Sequence, residues 1–332
     1  MSLQTDLDAI AAETEFSGVV RVDGPDGVAL ERAYGLAHRG YAIPNEPDTR
    51  FAIASGAKGL TALAVVSLVE DGTLELETTA RSLLGSDLPL IDDRVTVEHL
   101  LAHRSGIGDY LDEDEELDLG AYLMPVPVHE LATTEQYLAV LDGRPTKFPP
   151  GERFSYSNGG YVVLALIAER ASGVQFHDLV RERVTGPASM GDTEFLRSDE
   201  LPGRTAVGYV EVEGAWRTNV FHLPVRGSGD GGVYTTAADV SNLWRALFAG
   251  EIVPRPWVEA MTRAHSEVPP KRRYGLGFWL HGSSDTVSLE GSDAGVSFSS
   301  AHDPGSGRGF TVLSNTSDGA WQPARHLAGW LG

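Results

Sequence analysis

The chain has 332 residues, with 47 Asp and Glu against 26 Lys and Arg, for a formal charge of −21. That excess of carboxylates argues against nucleic acid or anionic lipid as the main partner, because a phosphate-binding surface needs clustered cations. With 42% apolar residues and no cysteine, the chain can bury a large core; disorder and coiled coil are excluded as overall descriptions, and disulfides, a thiolate nucleophile and a cysteine-based zinc site are impossible.

In chain order, Gly18 to Val22 and Val28 to Tyr34 are β-branched runs around Asp23-Gly24-Pro25-Asp26-Gly27, the pattern of a hairpin. Phe51-Ala52-Ile53-Ala54 leads into Ser55 and an apolar stretch, Gly59 to Val69, stopped by Asp71-Gly72. Apolar residues lie nearly all round that stretch, so it reads as a buried helix starting near Ser55. Val95 to about Leu196 is mostly helical in pattern, with strong segments at Thr96 to His103 and Asn158 to Ala171, whereas Gly108 to Pro127 is acidic and irregular. Strand patterns return at Ala206 to Val212, Trp216 to Val220, Gly275 to Leu280, Thr286 to Leu289, Val296 to His302 and Gly309 to Ser314, before a last helix from Gln322 to Leu331.

Strands at both ends with helices between them predict an α/β (α+β) fold whose sheet is built from the two termini, with a helical region inserted. The expected division is residues 1–75 and 205–332 for the sheet domain and 76–204 for a mainly helical domain, with the active site at their junction. Residues 1–20 lack a basic start and apolar run, and no stretch approaches a membrane-spanning length. The expectation is a soluble, cytoplasmic protein without membrane insertion. Charge leaves the oligomeric state open.

Lysine is scarce: of the 26 basic residues only Lys58, Lys147 and Lys271 are Lys. Lys58 follows Ser55 by three residues, and i and i+3 share a helix face, so Ser55 Oγ and Lys58 Nζ can meet. A serine hydroxyl needs a base to become a nucleophile; Arg cannot serve, whereas a buried Lys can be neutral. The bland alternative is an N-cap Ser55 beside a solvated Lys58. A second cluster, Pro149-Pro150-Gly151 followed by Tyr156-Ser157-Asn158, offers a phenol for proton relay and a carboxamide to hold the amine. Its bland alternative is Asn158 as a helix cap and Tyr156 as packing.

Ser-x-x-Lys at a buried helix, Tyr-x-Asn after Pro-Pro-Gly, His99 to Gly106, Gly231 to Asp239 and Tyr274 to Phe278 together resemble the serine β-lactamase and penicillin-binding protein superfamily. The branch most similar is that of class C β-lactamases, esterases and D-aminopeptidases, over roughly residues 16 to 315. The resemblance implies a β-lactamase/transpeptidase-like fold with Ser55 acylated, Lys58 as its base or proton partner and Tyr156 as second proton-transfer group. Asn158 would bind substrate, and the backbone N–H groups of Ser55 and of Ser292, after Gly291, would form an oxyanion hole. The third motif departs: Leu289 stands where the family has Lys or His, a cation that faces a substrate carboxylate. Glu290 adds a negative charge there, although strand alternation can direct its side chain away from the cleft.

Other signals weaken on inspection. His99 and His103 lack a third metal ligand, His129-Glu130 lacks the second histidine of a zinc-protease helix, and no Gly-x-Ser-x-Gly occurs. Arg226 to Gly232 lacks the lysine of a phosphate loop, and Asp112 to Asp118 reads as a solvated acidic segment bordering a loop that could overhang the cleft. The expectation is a serine hydrolase of small esters or amides, esterase-like ahead of β-lactamase or D-amino-acid peptidase, with a small ester, amide or lactam as partner and neither metal nor cofactor. A catalytically idle binding or sensor protein is the alternative from another class.

Overall fold

The computed structural model describes residues 2–114, 122–268, 272–282 and 284–331. An eight-stranded antiparallel sheet dominates it. In chain order its strands are β1 (Gly18–Gly24), β2 (Gly27–Tyr34), β3 (Ser266–Val268), β4 (Arg272–Tyr274), β5 (Trp279–Leu280), β6 (Val287–Asp293), β7 (Val296–Asp303) and β8 (Arg308–Ser314). The spatial order β2-β1-β8-β7-β6-β5-β4-β3 places the first hairpin beside the last strand. The predicted hairpin forms, and β1 pairs with β8 from Gly18↔Ser314 to Asp23↔Gly309, so the sheet closes only when the two ends of the chain meet.

Period-two alternation gives this sheet two apolar faces. Val20, Val22, Phe310 and Val312 pack outward with Leu7 and Ala11 of α1 (Leu3–Glu13) and with Leu327 of the C-terminal helix Trp321–Leu331. Val19, Leu289, Phe298 and Leu313 pack inward on the main core. Through that core runs α2 (Ala57–Glu70), in which every residue from Ala57 to Leu68 is buried. Each fully buried Leu or Val there contributes about 1.5–3 kcal/mol over leaving it exposed. A further helix, α3 (Asn158–Ser172), is buried from Asn158 to Ala168 and packs against α2. Its end is set by Gly173, which takes the left-handed conformation at φ 71°.

Several elements differ from the sequence reading, among them the strands β3 and β4 at one edge of the sheet, which were not anticipated. The N-terminal helix α1 and the helix Ala237–Ala249 are present without having been anticipated. Gly275 to Phe278, expected as strand, is a bend between β4 and β5 instead. Gly277 there has φ +92°, and a methyl on it would lie 2.3 Å from Ala62 Cβ, so the bend exists where backbone passes directly over α2. Of the acidic stretch expected to be solvated, residues 115–118 lie outside the described residues.

The strand β6 reaches the start of α2 just as closely. A methyl on Gly291 would lie 2.0 Å from the Ile53 carbonyl oxygen and 2.9 Å from the Ser55 and Gly56 nitrogens. Gly291→Ala should therefore lower stability by about 1–3 kcal/mol through overpacking, read as a reduced denaturation midpoint; an unchanged midpoint would show that the contact is slack.

Candidate active site

The turn that carries Ser55 is built before the helix begins. Ile53 N–H donates to the Val233 carbonyl at 3.0 Å, a 3-10 turn spans Ala54–Gly56, and Ala54 sits at φ 44°, a left-handed conformation unfavourable for alanine. Phe298 lies beneath, leaving no room for a side chain at Gly56. Ser55 is thereby held at the floor of a cavity of about 550 Å³, while Lys58, one turn on, points into protein and is 1% exposed.

Lys58 Nζ lies 2.8 Å from Ser55 Oγ, 2.8 Å from Asn158 Oδ1 and 2.9 Å from the Asp230 carbonyl oxygen. The last two atoms can only accept hydrogen bonds. The protonated amine donates to all three atoms; once it has lost a proton it keeps two N–H bonds for the carbonyl oxygens and a lone pair for the Ser55 hydroxyl. Burial pushes the Lys58 pKa below its ordinary value, against the pull of Asp230, Glu113, Asp109 and Asp293. The surrounding carboxyls move the opposite way: burial raises Asp109 and Asp230, and raises Asp293 to about 7. The Tyr110 hydroxyl donates to Asp230 Oδ2.

Tyr156 lines the same cavity as Ser55, and its ring centroid is 4.9 Å from Lys58 Nζ. Burial foremost, then Glu113, raises its pKa well above the usual phenol range, so the phenol keeps its proton. The ring is sandwiched between His103, stacked at 4.3 Å, and Trp279, parallel within 5° at 6.0 Å. His103 Nδ1 accepts from Ser157 N–H at 3.0 Å, and burial holds the imidazole neutral. His103 thus supports the Tyr156 ring and the start of α3. His99 closes a capping box with Thr96 at the start of its helix.

The helix cap of α3 is Ser157, whose hydroxyl accepts from Gly160 N–H at 3.0 Å. Asn158 is therefore free of the capping duty considered for it. Its Nδ2 donates to the Leu111 carbonyl at 3.0 Å and Glu113 Oε1 at 3.2 Å while its oxygen takes Lys58. The loop bearing Glu113 is anchored to the same helix, because Asp109 Oδ1 accepts from Gly159 N–H at 2.9 Å.

On β6 the alternation resolves the departure at the third motif. Leu289 is 3% exposed and packs against Gly59, so the position of the family's cation is an apolar plug under α2. Glu290, on the opposite face, lines the cavity instead of pointing away from it, as do Gly291, Ser292 and Asp293. The structure thus brings Ser55, Lys58, Tyr156, Asn158, Gly291 and Ser292 to one place. Sequence reasoning missed Tyr110, Glu113, Arg272 and Trp279, which reach the cavity from segments without a motif, and Asp293, which directly follows Ser292 at the third motif. Among the described residues no group of three or more His, Asp or Glu is arranged to hold a metal ion.

The sequence model described as Beta-lactamase matches residues 3–329. Esterase EstB of Burkholderia gladioli is 30% identical over 83% of this chain and 79% of its own length. The chain spans 57% and 63% of the length of two relatives from Bacillus subtilis strain 168, the first a penicillin-binding protein 28% identical to it. Among solved structures, a penicillin binding protein from Bacillus halodurans superposes with a TM-score of 0.93 at 35% identity, over 98% of this chain and 99% of that one. D-amino acid amidase from Ochrobactrum anthropi SV3 shares the fold at a TM-score of 0.82 and 23% identity, over 99% and 98%.

Two outcomes follow from the charges. Between the ordinary carboxyl value of 3.8 and about 7, folded Asp293 keeps a proton that the unfolded chain loses; stability from this group therefore falls as pH rises through that window. Asp293→Asn removes that slope, so the difference in melting temperature between wild type and variant should change between pH 4 and 7 and level off above it. A difference independent of pH would refute the raised pKa. For Lys58→Arg, which keeps the charge and forbids deprotonation, the chemical step should slow by about 10³-fold or more, measured as release of 4-nitrophenol from an acetate ester.

Proposed function

The chain belongs to the β-lactamase family, and from that membership and the geometry above we propose that it is a serine hydrolase cleaving small esters or amides through an acyl-enzyme on Ser55. The observation that carries this reading is the placement of Lys58: its buried Nζ lies 2.8 Å from Ser55 Oγ, held there by Asn158 Oδ1 and the Asp230 carbonyl oxygen, and burial lowers its pKa. As Ser55 Oγ attacks the substrate carbonyl, its proton passes to Lys58 Nζ. The oxygen that becomes negative is held by the N–H groups of Ser55 and Ser292. Collapse breaks the bond to the leaving group, which takes the Tyr156 proton, and Lys58 returns a proton to Tyr156. Water then attacks the ester on Ser55 with the same groups in reverse order, releasing the acid.

The cavity walls support a substrate class. Glu113, Asp230, Glu290 and Asp293 line it, and Arg272 is the one side-chain cation among its described lining residues. Uncharged or cationic acyl compounds suit such a site better than carboxylates. The likeness to EstB supports ester cleavage. The Bacillus halodurans penicillin binding protein favours a second reading, acylation by β-lactams, and Leu289 in the place of the family's cation weighs against it.

Intact-mass measurement after a fluorophosphonate should show one adduct, lost in Ser55→Ala; labelling that persists in the variant refutes the assignment. The kcat/KM for short-chain 4-nitrophenyl esters should exceed that for a chromogenic cephalosporin by about tenfold or more, and the reverse order selects the second reading.

A further inference from the structure

Resting on the hydrolase reading above, we propose that Glu290 and Arg272 form a built-in selector against substrate carboxylates: Glu290 occupies the guanidinium that would otherwise bind them. Arg272 on β4 and Glu290 on β6 are separated by β5. Arg272 spans that gap, its guanidinium carbon 3.9 Å from the Trp279 ring centroid and its Nη2 donating to Glu290 Oε2 at 2.8 Å. Trp279 is in turn parallel to Tyr156. The guanidinium therefore begins a series of contacts, Arg272, Trp279, Tyr156, that ends 4.9 Å from Lys58 Nζ. All of these residues line the same cavity.

A guanidinium lying flat on an indole keeps its N–H edge available for a two-pronged bond to a carboxylate. Here an internal carboxylate takes it. No other described side chain offers a substitute cation: Lys58 is committed beneath the floor, and Arg273 donates through Nη2 to the His281 carbonyl. His281 itself faces Arg272 and Glu290, and burial together with Arg272 keeps its imidazole neutral. The side chains of Arg272 and Glu290 are 43% and 32% exposed, so their pairing is weak enough for a ligand to compete with it. A ligand carboxylate that did so would leave Glu290 beside it as an unpaired like charge. Repulsion from Glu290 thus disfavours anions at the one place in the cavity where a cation stands, and an uncharged residue at 290 leaves that cation free.

The test is a matched substrate pair, 4-acetoxybenzoate and methyl 4-acetoxybenzoate, which differ in one carboxylate. Glu290→Gln should raise the ratio of kcat/KM for the anion to that for the methyl ester by about tenfold over wild type. The gain should shrink with added salt and be absent in the double variant Arg272→Ala with Glu290→Gln. An unchanged ratio in Glu290→Gln, or an equal gain in the double variant, overturns the proposal. Calorimetric binding of 4-hydroxybenzoate reads the same selector without turnover: it should be about tenfold tighter to Glu290→Gln than to wild type and lose that gain in the double variant, and equal binding to all three proteins refutes the pair. Absence of any turnover of either ester counts against the hydrolase reading and leaves the binding result to decide on the selector.

Discussion

The burial of one amine organises this molecule. Lys58 can lie at 1% exposure only because α2 is apolar on every side and is covered by the inner face of the sheet and by α3. A charged ammonium there would be costly, and the surroundings answer that cost with two carbonyl-type acceptors rather than with an ion pair. Asp230 shows this most clearly, since it offers Lys58 its backbone oxygen while its carboxyl is turned to Tyr110. Burial moves amine and carboxyl alike toward their uncharged forms. An amine with a lowered pKa at the foot of a serine is thus a consequence of packing, and each layer of core around α2 contributes to it.

The same packing dictates what β6 can present. Alternation along the strand sends Leu289 inward against Gly59 and Glu290 outward into the cavity, with Gly291 inward again, where only hydrogen fits between strand and turn. A cation at 289 would need polar company beneath α2, and the core supplies none at Gly59. The electrostatic character of the cleft is therefore set by residues on the outward face and on neighbouring strands, and its balance is strongly acidic.

How far the sequence carried the reading depends on the range of each interaction. The hairpin, the buried helix and the pairing of Ser55 with Lys58 arise from residues a few positions apart, where periodicity and helix geometry suffice. Tyr156 and Asn158 were legible because their neighbours mark the start of a helix, although the cap proved to be Ser157. The stacked column of Arg272, Trp279, Tyr156 and His103 could not be read in this way. Its members come from β4, β5 and two distant loops, and nothing local distinguishes Trp279 from any other aromatic at a strand. Glu113 was hidden for another reason, in that an acidic loop reads as solvated until Asp109 is seen to tie it to the start of α3.

Tyr156 links the reacting groups to the rim of the cavity. Its ring lies 4.9 Å from the Lys58 amine and runs parallel to Trp279, through which it reaches Arg272. A phenol whose pKa is raised by burial retains its proton, which suits a group that gives a proton to a leaving group and receives one from Lys58, and does not suit a second base. The buried amine, 2.8 Å from Ser55 Oγ with its pKa lowered, suits the part of the base, so the division of labour between the two follows from where the sheet and the helices place them. The rim cation is held on indole by Glu290 rather than inserted at 289. Chemistry at the floor and selection at the rim are thereby separated by the thickness of one aromatic ring.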